Sequence, residues 1–223
     1  MSGVEWRVSL GDDSTRVVYE PATSSLERAV FVCAHGAGGS MSDRSTLAAA
    51  NELRSRGFGV VRFNFFYKEK GSSRPDAMPK LMDTTRAVVD RVRSELSSSC
   101  LVIGGRSMGG RAASMLASEA FDADGLFLLA YPLHPAGQPE KLRDAHLPDI
   151  IMPVLCINGT RDPLCTPELM TRALEPVTAS WKMHWLEGAD HSFHVLKSSG
   201  RNDAAVMDEV GNTAERWLST FHS

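Results

Sequence analysis

One stretch of the sequence, residues 100–120, constrains the fold more than any other. It reads CLVIGGRSMGGRAASMLASEA, in which a short apolar run leads into four glycines around one serine and then into residues that favour a helix. A buried strand, a sharp turn and a helix in this order are typical of a nucleophile elbow, whose G-x-S-x-G motif presents a serine hydroxyl clear of a sheet. The motif here is GRSMG, and it predicts Ser107 as a nucleophile.

The glycines of this motif have a steric explanation. A side chain at Gly105 or Gly109 is expected to collide where the incoming strand and the outgoing helix cross at close range. The positive end of the following helix would also favour negative charge developing near Ser107. The simpler alternative is a glycine-rich turn with an incidental serine.

Strand-like and helix-like patterns alternate along the rest of the chain. An antiparallel hairpin at residues 4–10 and 16–20 is predicted at the sheet edge, and residues 66–79 form a basic loop without regular structure. The alternation indicates an α/β fold with a mostly parallel, doubly wound sheet flanked by helices. The predicted strands continue at 29–34, 60–65, 100–103, 126–131, 154–158 and 181–186, and the helices at 42–56, 80–96, 111–120, 167–174 and 204–221.

Length and composition set broad limits on the protein's class. With 223 residues, 43% of them hydrophobic, the chain suits a single domain over residues 1–223. A net charge of −3 gives no overall basic field, so nucleic acid is not an expected partner. The N-terminal residues lack the apolar core of a signal peptide, and no apolar run approaches the roughly 20 residues that span a bilayer.

The four cysteines favour a reducing compartment. Three of them, Cys33, Cys100 and Cys156, lie in apolar, strand-like runs, where they are expected to be small buried hydrophobic residues and not partners in disulfides. A cytoplasmic location is therefore predicted.

A serine nucleophile needs a base to accept its proton and a third group to orient that base. In a doubly wound sheet, functional residues collect in the loops after the carboxyl ends of the strands. Asp162 follows the predicted strand 154–158, and His191 follows the strand 181–186. The chain order Ser107, Asp162, His191 is the order of α/β-hydrolases. It differs from the orders in chymotrypsin-like and subtilisin-like proteases.

Each of these choices has a neighbour that could compete with it. His194 is close to His191 but farther from the strand end. Asp190 adjoins the proposed base, where it is expected to be solvated or bonded to nearby backbone amides. The other histidines, His134 among them, lack metal-ligand spacing, so neither a metal nor an organic cofactor is predicted.

Acyl transfer also requires donors for an oxyanion. The backbone N–H of Met108, directly after the nucleophile, is one predicted donor. The second is expected from the loop HGAGG at residues 35–39, with Ala37 as first choice and Gly36 or Gly38 as alternatives. A tight glycine turn without a catalytic role is the competing interpretation.

These residues resemble a known family. HGAGG, RFNFFY with its basic loop and SSRP, GGRSMGGR, AYPLHPAGQPEKLRDAHL, NGTRDP and GADHSF together resemble small α/β-hydrolases of the dienelactone-hydrolase-like kind. The resemblance extends over nearly the whole chain and is closest to an uncharacterised branch that includes testis-expressed hydrolase-like proteins. It implies the same Ser107, Asp162 and His191 triad. Dienelactone hydrolase itself uses a cysteine nucleophile, so its lactone substrate is not implied here.

The site is expected to be open. Only 22 residues separate Tyr131 from Val154, too few for the helical cap domain that many α/β-hydrolases insert there. Side chains such as His134 could line the edge of such a site, although this segment could equally be a connecting loop.

Cations near the predicted site suggest a small anionic substrate. Lys68 and Arg74 lie in the loop after the strand 60–65, and Arg106 adjoins Ser107. Alternatively, the loop is solvated and Arg106 pairs with a structural carboxylate.

Taken together, the predicted triad and oxyanion donors indicate a serine hydrolase of esters or thioesters. The alternative is a non-catalytic binding or scaffold protein.

Overall fold

The computed structural model describes residues 3–24, 26–98 and 100–222, with the side chain of residue 222 left out. Eight strands form one sheet in the order β1-β2-β4-β3-β5-β6-β7-β8. β1 pairs antiparallel with β2 and β2 with β4, and all other neighbouring strands are parallel. The strands are β1 (Val4–Leu10), β2 (Asp13–Glu20), β3 (Ala29–Ala34), β4 (Phe58–Phe63), β5 (Leu101–Arg106), β6 (Gly125–Leu129), β7 (Val154–Gly159) and β8 (Trp181–Leu186).

Helices cover both faces of this sheet, because the central strands are apolar on both sides. Ile103 of β5 belongs to a core with residues of α3 and α4, whereas Val102 belongs to a second core with residues of α1 and α6. The doubly wound architecture predicted from the alternating pattern is confirmed. The helices are α1 (Arg44–Ser55), α2 (Phe66–Glu69), α3 (Met78–Glu95), α4 (Met108–Ala117), α5 (Pro167–Leu174) and α6 (Asp203–Leu218), with short 3-10 turns at Leu147–Asp149, Lys197–Ser199 and Ser219–His222.

Several predicted boundaries differ from the structure, among them α4, which begins at Met108 and not at Arg111. β4 begins and ends two residues earlier than expected, because Gly57 turns the chain at φ 93° and β4 starts directly after it. The predicted basic loop contains the short helix α2. β5 continues through Gly104 and Gly105 to Arg106, since parallel pairing with β3 and β6 extends to these residues.

The connection between β6 and β7 bears on access to the site. Residues 130–153 are all described, and they contain only the 3-10 turn Leu147–Asp149 and no cap domain. Over the described residues, no helix combines the length and the apolar character needed to span a bilayer. The four cysteines are free and buried, which the sequence predicts for Cys33, Cys100 and Cys156.

Candidate active site

Ser107 lies between the end of β5 and the first residue of α4, at the elbow predicted from the sequence. Its backbone has φ 50° and ψ −116°, a conformation that L-residues rarely adopt and that costs on the order of 1–3 kcal/mol. The Ser107 N–H donates to the Leu129 carbonyl at 2.9 Å, so pairing with the end of β6 holds the turn. Because α4 begins at Met108, the positive end of that helix adjoins the serine.

The glycines of the elbow admit the end of β3. A Cβ on Gly105 would lie 2.2 Å from the Ala34 carbonyl oxygen, and one on Gly109 would lie 2.6 Å from both the Ala34 and His35 oxygens. The predicted collisions therefore occur, but against β3 and not between the strand and helix that flank Ser107. The close approach between β5 and α4 is at Gly110, where an added Cβ would lie 2.7 Å from the Gly105 oxygen.

The structure brings Ser107, His191 and Asp162 together in one hydrogen-bonded chain. The His191 Nε2 lies 2.9 Å from the Ser107 Oγ, and the His191 Nδ1 lies 2.8 Å from the Asp162 Oδ2. A carboxylate only accepts, so Nδ1 carries the proton and Nε2 is left to accept from the serine hydroxyl. The tautomer is therefore the one that a general base requires.

Asp162 is held by more than the histidine. Its Oδ1 accepts the Leu164 N–H at 2.8 Å, and its Oδ2 also accepts from the Asn158 Nδ2 at 3.3 Å. Asn158 is fully buried and also accepts the Tyr131 N–H through its Oδ1. Sequence reasoning missed this asparagine, although a polar residue at the end of an otherwise apolar strand is a signal for it.

The two competing residues lie elsewhere. His194 is mostly exposed and its Nδ1 lies 3.0 Å from the Asp203 carboxylate, which raises the pKa of the histidine. The Asp190 Oδ1 accepts the N–H groups of Ser192 and His194 at 2.7 and 3.1 Å, as expected of a carboxylate that orders its own loop.

The loop after β3 contacts the elbow. A Cβ built on Gly36 would lie 3.4 Å from the Ser107 Cβ, so the backbone of this loop passes close to the serine. Ala37 is exposed, and its N–H has no backbone acceptor within the described ranges. Met108 supplies the first backbone N–H of α4, directly after Ser107. The two predicted oxyanion donors thus belong to segments that meet at the nucleophile.

His35 fixes this loop from inside the protein. It is fully buried, its Nδ1 donates to the Gly36 carbonyl at 2.8 Å, and its Nε2 accepts the Phe65 N–H at 3.1 Å. Burial lowers the pKa of His35, which keeps the ring neutral and preserves the tautomer that both bonds need. Sequence analysis gave this histidine no role.

The predicted cationic side chains occupy different places. The Lys68 Nζ lies 3.5 Å from the Gly38 oxygen, so this cation reaches the loop after β3. Arg74 is exposed, and its side chain forms no ion pair with any described residue. His134 is buried, its Nδ1 donates to the Pro135 carbonyl, and its Nε2 is buried without a described hydrogen-bond partner.

Arg106 faces the α1 and α6 side of the sheet, since it shares the parity of Val102 along β5. Its guanidinium donates to the His191 carbonyl and stacks on the Phe193 ring at 5.1 Å. The alternative that it pairs with a structural carboxylate is not observed, because no described carboxylate lies within ion-pair distance.

A second serine and histidine pair involves Ser114 of α4, the helix that follows the nucleophile. The Ser114 Oγ lies 2.8 Å from the His146 Nε2, and it donates its proton to the Arg111 carbonyl. His146 must therefore donate to the serine, the reverse of what a base does. Ser114 is also fully buried, so we interpret this pair as structural.

His146 makes the stability of the fold sensitive to acid. Burial, and then the charge of Arg111, lower the pKa of His146 to about 4 from 6.5. Between these values the unfolded chain binds the proton and the folded chain does not, so the free energy of unfolding falls as pH decreases from 6.5 to 4. For a partly exposed group this loss is on the order of 1–2 kcal/mol. The drop in melting temperature from pH 7.5 to pH 4.5 should be smaller for His146→Gln than for the parent protein. For His194→Gln this drop should not become smaller.

Comparisons with known proteins agree with this architecture. A family model described as an alpha/beta hydrolase domain matches residues 27–219. An α/β serine hydrolase without lid from Xanthomonas campestris is 23% identical, with a TM-score of 0.77 over 98% of this chain and 96% of that chain. A serine hydrolase homologue from Coxiella burnetii is 18% identical, with a TM-score of 0.77 over 97% of each chain. A dienelactone hydrolase from Anabaena variabilis is 19% identical, with a TM-score of 0.75 over 99% of each chain.

Proposed function

The chain belongs to the alpha/beta hydrolase domain family, and we propose that it hydrolyses a carboxylic ester or thioester through an acyl-enzyme on Ser107. The observation that carries the proposal is the unbroken hydrogen-bonded chain from the Ser107 Oγ through His191 to Asp162. The strained backbone of Ser107 supports it further, because such strain concentrates at functional sites.

The proposed mechanism assigns one role to each residue. His191 accepts the hydroxyl proton while the Ser107 Oγ attacks the carbonyl carbon, and it then gives that proton to the departing alcohol or thiol. Asp162 keeps the imidazole oriented and stabilises its charged form. The N–H groups of Met108 and Ala37 donate hydrogen bonds to the carbonyl oxygen as it becomes negatively charged. Water, activated by His191, then releases the acid and restores Ser107. No metal or organic cofactor takes part.

A fluorophosphonate probe tests the proposal most directly. Such a probe phosphonylates only a serine that a neighbouring base activates, so mass spectrometry should place the adduct on Ser107. The matched control is Ser114, which also contacts a histidine but donates elsewhere and should stay unlabelled. Folded protein that remains unmodified at Ser107 would favour the alternative, a binding or scaffold protein that retains the hydrolase fold.

The choice of base gives a second prediction. His191→Gln should lower kcat for a p-nitrophenyl ester by at least about 10³-fold, since glutamine cannot take the serine proton. His194→Gln should stay within about twofold of the parent, because that ring pairs with Asp203 on the surface. The opposite pattern would mean that His194 is the base.

We further propose that the substrate is small and carries a negative charge, with Lys68, Arg74, Arg106 and His134 as the predicted substrate-binding residues. The Lys68 ammonium near the Gly38 carbonyl is the observation that supports this best, since Gly38 belongs to the loop proposed to bind the oxyanion. Arg74 is exposed and forms no ion pair within the described ranges, so it is available to a substrate. Arg106 extends toward α1 and α6 and His134 is buried, so the proposal rests on Lys68 and Arg74.

The charge of the substrate can be tested with matched esters. An ester with a carboxylate on its acyl chain should have a kcat/KM about tenfold above that of its neutral isostere, and added salt should reduce the difference. Lys68→Met should remove most of the preference, whereas substitution of an exposed residue of β8, Lys182→Met, should not. If the two esters react equally in the parent at low salt, the cations are ordinary surface charge.

A further inference from the structure

An open cavity of about 890 Å³ lies beside the elbow, on the side of the sheet opposite α3 and α4. It lies between α1 and α6, with Cys33 of β3, Arg106 of β5 and Leu129 of β6 at its base. Its volume is within the range of small-molecule binding sites, roughly 300–1,000 Å³. The mechanism proposed above leaves this cavity unused.

The cavity is separate from the nucleophile although it adjoins it. Arg106 and Ser192, the neighbours of Ser107 and His191 in the chain, line the cavity, whereas Ser107 and His191 do not. Side chains alternate between the two faces along β5, so the Arg106 side chain extends toward α1 and α6. A ligand in the cavity would therefore lie behind the reacting groups.

Arg106 gives the cavity its chemical character. A guanidinium has five N–H donors, and the one hydrogen bond that Arg106 makes to a described residue goes to the His191 carbonyl. Burial lowers its pKa, yet an arginine stays charged in a protein. The Phe193 ring at 5.1 Å covers one face of the guanidinium and leaves its edge available to an acceptor.

The acidic residues around the cavity have other partners, and over the described residues none lies within ion-pair distance of Arg106. Asp43 accepts the Ser40 N–H and hydroxyl, Glu52 pairs with Arg56, and Asp203 pairs with His194. Arg44, a second cation on the rim, is exposed and forms no ion pair within the described ranges. Arg106, at the base of the cavity, thus has no carboxylate partner among the described residues.

Apolar groups complete the lining. Leu129 and Phe193 are almost fully buried, Met207 of α6 is half-buried, and all three pack in the core shared with α1.

We propose that this cavity binds a small amphiphilic anion, a carboxylate or phosphate monoester on a short hydrocarbon chain. The anionic group would bind Arg106, and the chain would lie along the apolar residues Leu129, Phe193 and Met207. This proposal is independent of whether Ser107 acts as a nucleophile.

Calorimetric titration of the Ser107→Ala protein tests the proposal without turnover. Hexanoate, hexyl phosphate and hexanol share one chain and differ only in the head group. At least one of the two anions should bind one-to-one, with a Kd of about 1 mM or tighter for a ligand of this size. Comparing hexanoate with hexyl phosphate identifies the preferred head group, and hexanol should bind at least about tenfold more weakly than the better anion.

Substitutions locate the binding. Arg106→Met should weaken the better anion by at least about tenfold, whereas Arg106→Lys should retain part of the affinity. Met207→Trp adds bulk to the apolar side of the cavity, leaves Arg106 in place and should also weaken binding. Arg172→Ala, an exposed arginine on α5, is the matched control and should change nothing. Circular dichroism checks that each variant is folded.

Three results would overturn the proposal. The first is no heat of binding from either anion up to about 10 mM, and the second is hexanol binding as tightly as the better anion. The third is binding that survives both Arg106→Met and Met207→Trp in folded protein. The last result would place the bound anion elsewhere on the molecule.

Discussion

Ser107→Ala is expected to reduce kcat for a p-nitrophenyl ester by at least about 10³-fold, because the substitution removes the atom that attacks the carbonyl. It should change the free energy of unfolding by no more than about 1 kcal/mol, since the hydroxyl makes one half-exposed hydrogen bond to His191. A kinetic assay and chemical denaturation of the same preparations measure both quantities.

A companion variant separates chemistry from strain. Alanine retains the Cβ that makes φ 50° unfavourable, whereas glycine does not, so Ser107→Gly should be more stable than Ser107→Ala by about 1 kcal/mol while equally inactive. Activity within about tenfold of the parent in either variant would reject Ser107 as the nucleophile.

Gly104→Ala is expected to have the largest effect on folding. A Cβ at this position would lie 1.9 Å from the Phe127 carbonyl oxygen, and both partners are backbone of adjacent central strands. The residue also has φ 154°, which disfavours any side chain. We expect a loss of at least about 4 kcal/mol, visible as aggregation or as a much lower midpoint in denaturant.

Gly137→Ala is the matched control for that loss. Gly137 also has positive φ, 69°, but a Cβ there would meet nothing within 4 Å. Its cost should be conformational strain alone, about 1 kcal/mol. Equal destabilisation by the two substitutions would show that strain, and not the collision with β6, makes Gly104 necessary.

Two predicted strands have the observed ends. The run at residues 29–34 is buried throughout, whereas the strand at 181–186 is only partly buried and carries the polar residues Lys182 and His184. The glycine-containing part of β5 was not predicted as strand, since Gly104 and Gly105 carry no hydrophobic signal and pair only because β3 and β6 flank them. Pairing of this kind is a tertiary effect that a local pattern does not contain.

The candidate site was predictable where position along a strand decides it. Ser107, Asp162 and His191 each follow a strand, so fold topology alone brings them near one another. The roles of Asn158 and His35 depend on side-chain contacts across the sheet, which no spacing in the chain encodes. The side of the sheet to which the Arg106 side chain extends follows from strand parity. The cavity beside it, and the N–H donors it leaves without a described partner, depend on the packing of α1 and α6.

The hydrogen-bonded chain at Ser107 joins segments that are far apart in the polypeptide. Ser107 and His191 are 84 positions apart, and His191 and Asp162 are 29 apart, so no local piece of chain contains the site. The three loops become neighbours only once β5, β6, β7 and β8 have assembled in order. During refolding, ester hydrolysis should therefore return only with the last long-range contacts, later than helical circular dichroism. The return of the proposed activity would then report the time at which these four strands have assembled.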